Sequence, residues 1–205
     1  QVASAWPYAI AVWLLVALLA TLARVAPSAR PLASAGVTLL APLYAGALPA
    51  FLLAIRHAHH GSRSAAGTAR VFFPLVTVWV VDSVAMTVGK RVGGPKFSPV
   101  VSPNKTWSGT VGGFVGGLAL APLYHLVVLQ PLAVDASAWH LLAIAAVLGV
   151  MGQLGDLTES LFKREAGVKD SSHLIPGHGG VLDRFDSLYF AIPLAATLYR
   201  IFGVI

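Results

Sequence analysis

The chain has 205 residues, 57% of them apolar and 11% charged, with a net charge of +6 and no cysteine, and its mean hydropathy is +0.77. That composition lies outside the soluble globular range and excludes disulfides and thiolate metal sites. The basic residues are dispersed among loops, without a long run or interleaved aromatics, which argues against nucleic acid and for anionic lipid headgroups and anionic substrates.

Apolar stretches near twenty residues long can each cross a hydrocarbon core of about 30 Å at about 1.5 Å per residue. They predict six transmembrane helices, at 6–23, 32–55, 71–89, 107–130, 138–162 and 184–204. The expected fold is all-α, a single polytopic membrane domain over 1–205 with a polar site facing the cytoplasm. The first stretch follows Gln1 directly, has no basic leader and no clear cleavage site, and reads as a true span rather than a signal peptide. Pro42 and Pro49 predict a kink or split in the second.

Lys and Arg in the loops set the orientation. With the loop 163–183 cytoplasmic, 24–31 (Arg24, Arg30) and 90–106 (Lys90, Arg91, Lys96, Lys105) lie on the same side, and the loop 131–137, which carries no positive charge, faces out. The loop 56–70, with Arg56, Arg63 and Arg70, then faces out against the rule. On the fourth span, glycines at 109, 113 and 117, with a second register at 112 and 116, recur every four residues. No GxxxxGK[ST] and no preceding strand accompany them, so close helix packing is preferred to a phosphate loop.

Chemistry concentrates toward the end of the chain, where six of eight acids fall between 156 and 186. In "GDLTESLFKRE", Asp156, Glu159, Ser160 and Lys163 share one helix face. A carboxylate in an apolar span costs roughly 2.5–3.5 kcal/mol on insertion scales and marks a site by default, the alternative being a structural ion pair. Asp82 is a second intramembrane acid, and Asp183 and Asp186 enter the last span from the cytoplasmic side. With the orientation above, Asp82 and Asp156 both lie about 10 Å below the same interface. Four carboxylates at one depth with no cysteine point to Mg²⁺, which prefers oxygen and often shares it with substrate phosphates. Lys163, Arg164, Lys169, Arg184 and Lys105 are cations suited to anionic oxygen. Metal, cations and a lipid interface together imply phosphoryl or nucleotidyl transfer on a lipid headgroup. In the "PGHGG" turn, His178 is either a phosphate contact, a proton shuttle, or a group that holds the loop by hydrogen bonding.

The run from Ser160 through Lys163-Arg164, Lys169-Asp170 and "PGHGG" to Asp183-Arg184-Phe185-Asp186 resembles the complete signature of the CDP-diacylglycerol synthase, or phosphatidate cytidylyltransferase, family. "GDLTES", "SPNKTWSGTVGG" and Asp82 resemble three further elements, so the likeness covers roughly residues 80 to 190. Asn104 and Ser108 stand where the family usually has Lys and Glu, and "DSVAM" replaces its Asp-Thr-Gly-Ala-Tyr element.

The resemblance implies transfer of CMP from CTP to phosphatidate in a bacterial plasma membrane, giving CDP-diacylglycerol and pyrophosphate, with Mg²⁺ and room for a second, monovalent cation. It implies metal ligands among Asp156, Asp183, Asp186 and Asp82, and a reacting set of Ser160, Lys163, Asp183 and Asp186. Substrate contacts would come from Lys105, Arg164, Lys169, His178, Gly179 and Arg184. For Asp82, structural pairing is the alternative. The partners implied are CTP, phosphatidate in the bilayer, surrounding lipids and a second copy in a homodimer. Family members usually carry additional N-terminal spans, so the chain is expected to be the catalytic portion of a longer enzyme. The rival readings are a CTP-dependent polyprenol or dolichol-type kinase, a cytidylyltransferase for another lipid phosphate, and a cation transporter.

Overall fold

The computed structural model describes residues 6–23, 30–58, 64–174, 176 and 179–205, which fall into two compact units, 1–47 and 48–205. The fold is an all-α membrane protein with one small hairpin. In the first unit, α1 (Trp6–Ala20) runs into a 3₁₀ turn, Thr21–Ala23, and α2 (Pro31–Pro42) opens with a proline at its first position. There the missing N–H has no intrahelical partner to lose. At the other end of α2, Pro42 does interrupt the hydrogen-bond ladder, and the chain widens into a π-helical turn, Leu43–Ala47.

The second unit comprises α3 (Leu48–His57), α4 (Ala65–Val92), a hairpin of β1 (Lys96–Ser98) and β2 (Ser102–Thr106), α5 (Trp107–Tyr124), α6 (Ala138–Glu165) and α7 (Leu182–Ile201). A helix stands at each of the six expected positions. Four segments, Pro31–His57, Ala65–Val92, Trp107–Leu129 and Ala138–Glu165, are long and apolar enough to cross a membrane. Hydroxyl side chains start three of the helices: Ser64 accepts from Gly67 N at 3.0 Å, Thr106 from Gly109 N at 3.2 Å and Ser137 from His140 N at 3.2 Å. Each satisfies a backbone donor that the first turn leaves without a partner.

Two expectations are corrected. The ends of the segment 56–70 are helical: α3 runs to His57 and α4 begins at Ala65, so Arg56 and Arg70 lie in helices, and Arg63 lies outside the described residues. Arg70 is only 8% exposed, so its charge belongs to the bundle and not to a solvated loop. The segment 90–106 contains the hairpin, with Lys96 paired to Thr106 and Ser98 to Ser102. Gly93 and Gly94, at φ 66° and 106°, turn the chain out of α4 in a conformation that side chains resist. Phe97 then packs edge-on against Trp107 at 4.7 Å, tying the hairpin to the start of α5.

The glycine stripe of α5 packs against α4. A Cβ on Gly109 would lie 2.5 Å from Ala85 O, and one on Gly113 2.6 Å from Val81 O, so only glycine permits this approach. Gly155 does the same for α6 and α7, since a Cβ there would meet Asp186 O at 2.9 Å. The core occupies one end of the bundle. Phe73 of α4, Leu141, Ile144 and Leu148 of α6, and Ile192 and Tyr199 of α7 are completely or almost completely buried there. Tyr124 donates to Ala69 O at 2.8 Å and Tyr199 to Arg70 O at 3.0 Å, so both buried hydroxyls are satisfied by the backbone of α4.

Candidate active site

The opposite end of the same unit holds a cavity of about 1150 Å³, walled by α4, the hairpin, the start of α5, the second half of α6 and the first turn of α7. Asp82, Asp156, Asp183 and Asp186 all line it. The register that brings them together follows from the close approaches just described. Gly113 and Gly109 seat α5 on α4, and Gly155 lets the α7 backbone come within reach of the turn that carries Asp156.

The four carboxylates divide into two kinds. Asp183 is saturated. Its Oδ1 accepts from Lys163 Nζ at 2.7 Å, and its Oδ2 accepts from Ser171 N at 2.8 Å, Ser171 Oγ at 2.6 Å and Gly180 N at 2.7 Å. It therefore pins both ends of the 166–181 loop to the start of α7. The glycines of the turn are required for this wrapping: Gly179 has φ 77° and faces Asp183 Oδ2, and a Cβ on Gly180 would collide with Ser171 Oγ. Lys163 also pairs with Glu159 Oε1 at 3.2 Å. Glu159 is 1% exposed, so a buried chain Glu159, Lys163, Asp183 joins the end of α6 to α7.

The other three carboxylates face the cavity with less compensation. Asp156 Oδ2 pairs with Lys105 Nζ at 2.7 Å, while Asp156 Oδ1 accepts from Ser160 Oγ at 3.3 Å. Lys105, on β2, is also steadied by Gln153 O at 3.4 Å. The Gln153 side chain donates to Gly149 O at 2.9 Å and Thr110 O at 3.2 Å, fixing α5 to α6 beneath Asp156. Asp186 Oδ1 accepts from Ser187 N at 2.6 Å and from Ser187 Oγ at 3.3 Å. Asp82, Asp156 and Asp186 lie close enough to repel one another, with Lys105 the ammonium that acts on both Asp82 and Asp186. Lys163 also acts on Asp186, but of the three only Asp156 is in an ion pair among the described residues, and Asp82 and Asp186 are in none.

Carboxylates outside any ion pair suit a hard divalent cation. Among the described residues no three His, Asp or Glu side chains are gathered tightly enough to enclose a metal by themselves. Mg²⁺ does not need such a cage, because it keeps several waters and takes only one or two carboxylates together with substrate phosphates. The donor set, all oxygen and with Asp82 and Asp186 outside any ion pair among the described residues, fits the ion.

The remaining expected contacts are spread differently. Arg184 is exposed and lines the cavity beside Asp183 and Asp186. Arg164 is exposed, donates to Val168 O at 3.4 Å and does not line the cavity, and neither does the exposed Lys169. His178 lies outside the described residues. Sequence reasoning did not single out Gln153, or Lys90 and Lys96, which line the cavity from α4 and β1. Nor did it assign Glu159 a role, although its i, i+4 spacing to Lys163 was a usable signal.

Residues 1–202 match the profile of a family described as the cytidylyltransferase family. Three curated relatives carry the name phosphatidate cytidylyltransferase. That of Staphylococcus saprophyticus is 47% identical over 128 residues, covering 62% of this chain and 48% of its own length. That of Bacillus subtilis is 41% identical over 168 residues, covering 82% of this chain and 59% of its own. That of Staphylococcus aureus strain COL is 44% identical over 128 residues, covering 62% and 48%. The chain spans about half the length of the curated relatives it matches. By the profile match across nearly all of its length, and with the acid-lined cavity built from the matching segments, the chain belongs to the cytidylyltransferase family.

Proposed function

We propose that this bundle transfers CMP from CTP to phosphatidate, forming CDP-diacylglycerol and pyrophosphate at the cytoplasmic face of a membrane. The observation that carries the reading is the convergence of Asp82, Asp156 and Asp186 with Lys105 and Arg184 on one cavity at the ends of apolar helices. The names of the relatives agree with it. A phosphatidate oxygen is already anionic near neutral pH, so the demand on the protein is to bring two polyanions together and stabilise charge on the leaving pyrophosphate.

Asp82, Asp156 and Asp186 would hold Mg²⁺, which when bound neutralises phosphate charge and aligns the phosphates. Lys105 lines the cavity together with the acids, and its ammonium can turn to a phosphate oxygen as the charge on Asp156 is taken up. Arg184 offers a planar fork of donors from the first turn of α7, suited to bidentate phosphate contact. Asp183, held by four hydrogen bonds, positions the loop and Arg184 in place of binding metal. Ser160 keeps Asp156 oriented.

The deciding assay supplies labelled CTP and phosphatidate to the protein in lipid or detergent and follows the products. CDP-lipid and pyrophosphate appearing in equal amounts, stopped by a chelator and restored by Mg²⁺, is the expected result. Release of CDP with a phosphorylated alcohol, or ion flux in liposomes without consumption of CTP, would overturn it.

A further inference from the structure

One face of α4 carries an arrangement of which the carboxylate site uses only Asp82. Trp79, Asp82, Met86 and Lys90 follow one another at spacings of three or four residues and all line the cavity, so they form a single stripe down the helix. α4 has 28 residues, about 42 Å at the usual rise, longer than a hydrocarbon core of about 30 Å, so its ends reach the headgroups. Lys90 stands about 3 Å from the end of the helix, Met86 about 9 Å and Trp79 about 20 Å. The stripe therefore runs from a cation at headgroup depth to Met86 and Trp79 in the hydrocarbon region, with Asp82 of the carboxylate cluster between them about 15 Å from the helix end. Trp79 is 50% exposed and Met86 57% exposed, so neither is buried by protein. Lys96 of β1 lines the same cavity, and both Lys90 and Lys96 are exposed. Neither ammonium has a charged or hydrogen-bonded partner among the described residues.

From this we infer that Lys90 and Lys96 form the headgroup subsite for a lipid phosphomonoester, whose acyl chains descend along Met86 and Trp79. The inference deepens the function proposed above and rests on it for the identity of the reaction. Two ammonium groups match the charge of a monoester phosphate, about −1.5 to −2 near neutral pH, better than the single charge of a phosphodiester lipid. A nucleotide would have no use for an apolar stripe that runs below the headgroups. Asp82 lies on the same stripe between Lys90 and Trp79, which brings a phosphate held at Lys90 to the edge of the carboxylate cluster. The nucleotide is left the side of the cavity that carries Arg184.

The test measures CMP transfer in mixed micelles with dioleoyl phosphatidate as acceptor. Lys90→Ala is expected to raise the KM for phosphatidate about tenfold, the equivalent of one charge-assisted contact. Lys96→Ala should act in the same direction, Lys90→Arg should recover most of the loss, and the KM for CTP should stay within about twofold, which also reports an intact fold. Met86→Asp should weaken dioleoyl phosphatidate but not water-soluble dihexanoyl phosphatidate, and glycerol 3-phosphate should not compete. A rise in the KM for CTP in place of phosphatidate, or no change in either, overturns the assignment. Native mass spectrometry of the purified protein gives a readout without turnover. Wild type should retain phosphatidate over phosphatidylglycerol, and Lys90→Ala/Lys96→Ala should lose the difference. Equal retention of the two lipids by wild type would sink the subsite, whereas absence of CDP-lipid alone would sink only the reaction.

Discussion

The two ends of α4 show the same bundle solving opposite problems. At its first turns, Tyr124 and Tyr199 give their hydroxyls to the carbonyls of Ala69 and Arg70, and apolar side chains from α6 and α7 fill the remaining space. At its last turns, Asp82 faces Asp156 and Asp186 across a cavity with one paired ammonium between them. The first arrangement satisfies both tyrosine hydroxyls internally and so locks helices, while leaving Arg70 Nε buried without a hydrogen-bond partner. The second leaves Asp82 and Asp186 outside any ion pair among the described residues and so has binding capacity. In a bilayer, where helix association gains little from the hydrophobic effect, close packing and satisfied hydrogen bonds at one end must hold the frame that the other end strains.

Substitutions should separate the two ends cleanly. The largest effect is expected from Asp156→Asn, which removes a cavity charge and leaves Lys105 without its partner. CMP transfer should fall at least about 100-fold while helical content is unchanged, and near-normal turnover would remove Asp156 from the site. Asp183→Asn should release the loop from Ser171 and Gly180. Increased protease cleavage between 166 and 181 should accompany the loss of activity, and cleavage no faster than in wild type would refute the pinning role. Gly113→Leu, which forces α4 and α5 apart, should cost about 1–3 kcal/mol of stability and lower activity through displacement of Asp82. Thermal unfolding and CMP transfer measured on the same sample would show whether the two losses travel together. The smallest effect belongs to the locked end: Tyr199→Phe should lose about 1 kcal/mol of stability with kcat retained, and a fall in kcat without a fall in Tm would contradict the division between the ends.

Much of the frame was legible in the sequence because it is local or periodic. Apolar stretches of bilayer length marked six positions at which helices stand, four of them long enough to span, and the four-residue glycine repeat of α5 announced a close packing face. The helical spacing of Asp156, Glu159, Ser160 and Lys163 placed them together before any fold was known. Errors arose where a boundary depended on context. Arg56 and Arg70 looked like loop charges because arginine is costly in a span, yet the bundle buries Arg70 within α4. The hairpin between α4 and α5 was hidden because its three- and five-residue strands are too short to carry a period, and Pro103 lies in one of them.

By itself the sequence determined which residues are costly to place in a membrane and which share a helix face, since both follow from side-chain chemistry and the pitch of a helix. Only the tertiary structure decided how those charges are divided. It put Lys105 on Asp156, Lys163 between Glu159 and Asp183, and Lys90 and Lys96 at the rim of the cavity. Those pairings depend on how far one helix slides along another and how closely their backbones approach. Glycines at contacts such as Gly113 to Val81 and Gly155 to Asp186 set that distance, and it is a property of two segments together that neither carries alone.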